Sequence, residues 1–200
     1  MCGRFTLTTP AELVAEAFGL DAVPVLSPRV NVSPTEEVAT VIEGEGGKRT
    51  LTLLKWGFEA GVGRPLINAR AESLSSRPSF RDAFLAQRCL VPADGFYEWP
   101  QKGRPPVWIR RPDRGLFSFA GLFEKEKDGR PARCTLVTTA PTRFMAGIHD
   151  RMPVILPEEA YAPWLDRGLH DTKVLAPLLL PRESYALETM EAPRLGRDVH

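Results

Sequence analysis

Residues Cys89-Leu90-Val91-Pro92-Ala93-Asp94-Gly95-Phe96-Tyr97-Glu98-Trp99 decide the fold class. Two short apolar runs, Cys89 to Val91 and Phe96 to Trp99, flank Pro92 and Asp94-Gly95, which is the signature of strands joined by a bend. The same grammar continues outward. Val107 to Arg110, Leu116 to Leu122 and Cys134 to Thr138 read as further strands, and Val38 to Ile42 with Thr50 to Leu54 read as a hairpin around the loose loop Glu43 to Lys48. Cys2 to Thr8 alternates apolar and polar residues and reads as a strand. Thr9-Pro10-Ala11-Glu12 then offers Thr at the N-cap, Pro at the first helical position and Glu at the third, predicting a helix through about Phe18. Short helices are expected at Phe80 to Ala86, Pro157 to Leu165 and Thr172 to Leu179. Strands outnumber helices without βαβ alternation, so the reading is α+β. Residues 1–200 are expected to form one domain with a curved, mostly antiparallel, barrel-like sheet and a few short helices. There is no GxGxxG, GxxxxGK[ST] or GxSxG motif, which argues against dinucleotide, P-loop and α/β-hydrolase sites.

Two hundred residues, 43% hydrophobic and 26% charged, are enough for a core that needs no disulfide or metal. Cys2, Cys89 and Cys134 are odd in number, widely spaced and outside any CxxC pattern. Neither a disulfide framework nor a metal site is expected, no cofactor is implied, and a reducing, cytoplasmic setting fits. No apolar run reaches membrane length, and Arg4 with alternating polar positions excludes a secretory h-region at the start. A net charge of +1 argues against bulk polyanion binding, yet twenty Arg stand against six Lys. Arginine is the residue for forked phosphate contact, so a local basic groove remains open.

Four polar positions resist assignment to a core. Met before the small Cys2 is expected to be trimmed, giving a chain that starts with a thiol and a free α-amine on one residue. Such a 1,2-aminothiol captures aldehydes: the amine forms a Schiff base and the thiol closes on the same carbon to give a thiazolidine. In Leu66-Ile67-Asn68-Ala69-Arg70-Ala71-Glu72, an extended segment places Asn68, Arg70 and Glu72 on one face, as a solvated edge or as the wall of a groove. Glu98 lies among aromatics, sharing a face with Phe96 while Tyr97 and Trp99 point the other way. It either faces water or is desolvated with a raised pKa suited to proton transfer. His149, in Gly147-Ile148-His149-Asp150-Arg151-Met152-Pro153, is the histidine with charged neighbours in a loop before an apolar strand, whereas His170 and His200 read as surface.

Taken together, Met1-Cys2-Gly3-Arg4-Phe5, Asn31-Val32-Ser33-Pro34, Trp56-Gly57-Phe58, Ile67 to Glu72, Ala93 to Trp99 and Ile148 to Pro153 resemble the SRAP family, the SOS response-associated peptidases or abasic-site processing proteins. The match runs in consistent order over roughly residues 1 to 156. The resemblance implies binding of single-stranded DNA, or its junction with duplex, in the DNA damage response, with the open-chain aldehyde of an abasic site trapped as a thiazolidine on Cys2. It further implies Asn68 orienting the aldehyde or amine, Glu98 as acid/base for ring opening and Schiff-base steps, and His149 assisting proton transfer and reversal. Arg4, Arg70 and Arg151 look like the family's phosphate-contacting arginines, with Pro34 and Thr138 lining the channel. Lyase and self-processing peptidase (hydrolase) activities, a monomer, and a cytoplasmic, nucleoid-associated location belong to the same expectation.

This chain departs from the family in two stretches. Glu59-Ala60-Gly61-Val62-Gly63-Arg64-Pro65 carries no aromatic pair where many relatives place one against DNA, and Ala186 to His200 lacks an asparagine-rich closing segment. Two other readings compete. One is an N-terminal-nucleophile amidohydrolase of the glutamine amidotransferase type, which also begins Met-Cys-Gly but needs glutamine-recognition motifs missing here. The other is a single-stranded DNA binding module without covalent chemistry.

Overall fold

The computed structural model describes residues 2–59, 63–100 and 105–193. Its strands are β1 Phe5–Leu7, β2 Arg29–Val32, β3 Glu37–Glu43, β4 Arg49–Trp56, β5 Asn68–Arg70, β6 Arg88–Ala93, β7 Gly95–Glu98, β8 Val107–Arg110, β9 Phe117–Glu124, β10 Arg133–Thr139, β11 Met152–Pro153, β12 Ile155–Leu156 and β13 Glu188–Glu191. Five short α-helices join them: α1 Ala11–Phe18, α2 Pro78–Ala86, α3 Arg143–Ala146, α4 Tyr161–Leu165 and α5 Thr172–Leu175. Met1, residues 60–62 of the stretch without an aromatic pair, and residues 194–200 of the divergent C-terminal stretch lie outside the described residues.

Two curled sheets account for the α+β reading. The first runs β13-β8-β7-β1-β2 and is antiparallel throughout. In the second, β10-β4-β3-β6-β9 closes on itself through a β9–β10 pairing, so the expected barrel-like curvature becomes a ring. Closure removes most edges, and alternation then divides the side chains between two cores. On β9, Phe117, Phe119 and Phe123 pack with Cys2, Phe5, Trp56 and Phe96, while Ala120 and Leu122 pack with the helical side around Phe18, Phe80 and Trp164. Gly121 is the exception that fits the pattern: a Cβ there would sit 2.8 Å from the Cys89 sulfur.

Several expectations need correction. The N-terminal strand is three residues long, not seven, and the extended run from Leu66 stops at Arg70, since Ala71–Ser73 form a 3-10 turn. Two strand pairs on β10, with β4 and with β5, are parallel. The helix starts after Thr9 but without Thr9 as its cap: Pro10 takes the N-cap position, and the Thr9 hydroxyl instead donates to Asp94 at 3.0 Å. The C-terminal stretch contributes β13, paired with β8 through Glu188↔Arg110 to Glu191↔Val107. Among the described residues no helix is long and apolar enough to cross a membrane.

Asp94, at the bend between β6 and β7, explains how the N-terminal strand is held. Its Oδ1 accepts the Thr6 hydroxyl at 2.5 Å, and its Oδ2 accepts the backbone N–H groups of Thr8 and Thr9 at 2.6 and 2.9 Å. The Thr8 hydroxyl donates to the same oxygen at 2.8 Å. A buried carboxylate must have its charge met by donors, and those of Thr6, Thr8 and Thr9 meet it while fixing the chain beside β1. Asp94→Ala should therefore lower the urea unfolding free energy by about 2–4 kcal/mol, whereas Asp94→Asn, which keeps an acceptor, should lose less.

Candidate active site

Cys2 reaches the core by continuing the β1–β7 ladder. Phe5 pairs with Phe96, Thr6 with Gly95, and the Tyr97 N–H donates to the Arg4 carbonyl at 2.9 Å, so the antiparallel register carries the chain start toward Glu98. Gly95 permits this close packing, since a Cβ there would lie 2.1 Å from the Trp108 indole nitrogen. On the other side stands β5, held by the Trp56 indole N–H on the Ile67 carbonyl at 2.8 Å and by parallel pairing of Asn68 with Leu136. The Asn68 Nδ2 donates to the Cys2 carbonyl at 2.9 Å. Its Oδ1 is buried and, among the described residues, has no partner, leaving one acceptor beside the chain start.

The electrostatics join Cys2, Glu98 and His149. Cys2 is fully buried, and desolvation, followed by the nearby Glu98 charge, pushes its thiol far above the ordinary range, so the sulfur is held protonated at neutral pH. Its weak S–H contact is to the Arg4 carbonyl at 3.9 Å. Glu98 is also buried, and burial raises its carboxyl. The positive amino terminus and His149 work against that rise. The structure thus brings Cys2, Asn68, Glu98 and His149 together. His149 accepts the Arg151 backbone N–H on Nδ1 at 3.0 Å, and Asp150 Oδ1 lies 2.8 Å from the same nitrogen.

The residues that the sequence suggests for DNA contact are placed unevenly. Arg151 forks onto Glu72 at 2.7 and 3.0 Å and also donates to the Thr138 carbonyl at 2.7 Å. Thr138 itself is fully buried under that guanidinium. Arg70 is exposed at the end of β5. Arg4 donates to Asn31 Oδ1 on β2 at 3.0 Å. Pro34 stands further off, half-buried in the turn between β2 and β3. Trp99, just past the end of β7, is 41% exposed, whereas Tyr97 two residues earlier is buried. Asn31, Trp56 and Glu72 lie within the sequence motifs, and their partners Arg4, Ile67 and Arg151 stand 27, 11 and 79 positions away, which is why the sequence alone assigns them no role; Asp150 meets the neighbouring His149. Cys2, Cys89 and Cys134 are all buried and free. A cleft of about 610 Å³ lies elsewhere, between the start of α2 and the β9–β10 hairpin, and its Glu59 is paired with Arg130 and Arg133.

Cys2, buried with a carboxylic acid, an imidazole and an amide about it, sits in a two-sheet α+β scaffold. The chain belongs to the SRAP family, SOS response associated peptidase, whose family model matches residues 1–199. It is 39% identical over 210 residues to the abasic site processing protein YoqW of Bacillus subtilis, covering 98% of this chain and 93% of that one. The abasic site processing protein YedK of Escherichia coli is 32% identical over 201 residues, covering 93% and 90%. A crystal structure of a protein from Bacteroides thetaiotaomicron superposes with a TM-score of 0.79 at 24% identity, covering 94% of this chain and 90% of that one, and shares the fold.

The raised Glu98 carboxyl has a consequence for stability. Its unfolded counterpart ionises first, near the ordinary value of 4.5, so the folded state is penalised as pH rises from there through the raised folded value and above. Glu98→Gln should be more stable than wild type at pH 7–8, with the difference shrinking toward pH 4. Urea midpoints measured across that range check the sign.

Proposed function

We propose that this protein captures abasic sites in single-stranded DNA as a covalent thiazolidine on Cys2, once Met1 has been removed. The observation that carries this reading is the Asn68 amide bonded to Cys2 at 2.9 Å beside a buried, raised Glu98. The relatives named abasic site processing proteins, at up to 39% identity over nearly the whole chain, support it.

The chemistry follows from the groups present. An abasic deoxyribose is mostly a closed hemiacetal, so a proton must reach the ring oxygen and another must leave the C1′ hydroxyl before an aldehyde exists. A carboxyl whose hold on its proton is strengthened by burial is suited to the first transfer, and His149, with Asp150 Oδ1 2.8 Å from its Nδ1, is suited to relay the second. The Cys2 amine then adds to C1′ and water leaves, giving the Schiff base. The thiol adds to the same carbon while its proton passes to nitrogen, closing the ring, so the sum is aldehyde plus aminothiol to thiazolidine plus water. A thiol held neutral by burial suits this order, because the amine attacks first and the sulfur is activated only as it closes. The unpartnered Asn68 Oδ1 offers an acceptor for the amine or the carbinol hydroxyl. Arg4, Arg70 and Arg151 supply positive charge for the flanking phosphates, and no cofactor enters the scheme.

Incubation of Met1-processed protein with an abasic single-stranded oligonucleotide should give a band shifted on a denaturing gel and an intact mass equal to protein plus oligonucleotide minus one water. Cys2→Ala should abolish it. Glu98→Gln should slow capture of the closed sugar by at least about 100-fold, the scale of general acid–base contributions, while slowing capture of a simple aldehyde far less. A wild-type mass that never changes, or a Cys2→Ala protein that still forms the same heat-stable adduct, would end this reading.

A further inference from the structure

Glu72 shares its sequence run with Asn68 and Arg70, and the structure gives it a defined place. It sits on the turn Ala71–Ser73 after β5, and its two carboxylate oxygens take both terminal nitrogens of Arg151 in a fork at 2.7 and 3.0 Å. The two partners are unequal: the Glu72 side chain is 54% exposed and that of Arg151 only 16%. Arg151 does not depend on Glu72 for its position, because Nη2 also donates to the Thr138 carbonyl at 2.7 Å and the backbone on either side is fixed by His149 and β11. The Glu72 carboxyl is held below the ordinary carboxylate range, first by the Arg151 hydrogen bonds and in smaller part by the Arg70 charge, so it lies in the field of two arginines at once. A guanidinium fork accepts a carboxylate or a phosphate with the same geometry.

From this arrangement we propose that Glu72 stands in for a DNA backbone phosphate: it occupies the Arg151 fork in the free protein and must yield that seat before a strand docks. The exchange moves two N–H···O bonds from carboxylate to phosphate and returns Glu72 to water, with no change in covalent bonds or net charge. Its effect is to weaken reversible binding of undamaged strands. Retention on an abasic site does not suffer, since there the covalent bond holds the product. The inference rests on the DNA-binding reading above and adds a residue that sets affinity.

The test is binding of an intact fluorescent single-stranded oligonucleotide by anisotropy, over a NaCl series, for wild type, Glu72→Gln and Glu72→Ala, each also in an Arg151→Gln background. Removing one like charge roughly 6 Å from a phosphate in a water-rich setting should tighten binding about three- to tenfold at 0.1 M salt. The log–log salt slope should stay close to that of wild type, because Arg151 takes the same phosphate in both once the strand has docked. In the Arg151→Gln background the gain should fall below about twofold, because the seat in dispute is gone. Unchanged or weaker binding by both Glu72 variants would overturn the proposal and make Glu72 a strut for Arg151. An equal gain with and without Arg151 would overturn it in favour of bulk charge. Wild type with no salt-sensitive affinity for any single strand is a different failure, since it removes the DNA reading itself and this inference with it.

Discussion

Antiparallel pairing of β1 with β7 is the constraint on which the rest of the molecule depends. Phe5 against Phe96 and the Tyr97 N–H on the Arg4 carbonyl draw the beginning of the chain into the space between the two sheets. Chain termini are usually loose and wet. Here the start is tied down by a sheet on one side, by the Asn68 amide on another and by the Asp94 carboxylate a few residues later. The same pairing that completes the five-stranded sheet therefore also brings Cys2 to Asn68 and Glu98.

That delivery places ionisable groups where solvent cannot stabilise their charge. Glu98 is 1% exposed and Cys2 is 0% exposed, and desolvation raises both. Burial of this kind costs folding free energy but sets protonation states, and it leaves an acid beside a neutral thiol. Asp94 shows the opposite solution four residues earlier on the same bend. It is buried as well, yet surrounded by N–H and O–H donors, so its charge is matched by the backbone and hydroxyls of Thr6, Thr8 and Thr9. Two carboxylates on one short stretch thus differ according to what faces them: Asp94 has its charge matched by donors, and Glu98 is pushed upward by burial.

The arginines follow a similar division. Net charge is only +1, so attraction to a polyanion must come from arrangement, with Arg70 exposed, Arg4 steadied by Asn31 and Arg151 occupied by Glu72. Arg88 illustrates how little charge alone says. It is buried, and its guanidinium is spent on the carbonyls of Phe84, Leu85, Trp164 and Leu169, where it closes helix ends against each other.

Local periodicity made much of the fold legible. The β3–β4 hairpin pairs the two predicted stretches, from Val38↔Leu54 to Ile42↔Thr50, and β8 occupies the predicted Val107–Arg110, because alternation and turn residues are encoded within a few positions. The residue types at Cys2, Asn68, Glu98 and His149 were likewise readable as chemistry, and the ordered motifs as a family. What the sequence could not determine were the encounters between distant segments. Thr9 gave up its helix cap to a carboxylate 85 positions away, β5 and β4 found β10 in parallel, and Glu72 met Arg151 across 79 residues. Whether Glu98 faced water or the core was undecidable from its neighbours, since alternation on β7 fixes which side a residue takes but not what covers that side. Only the packing of one sheet over the other decided that, and with it the protonation of the acid that stands beside the first residues of the chain.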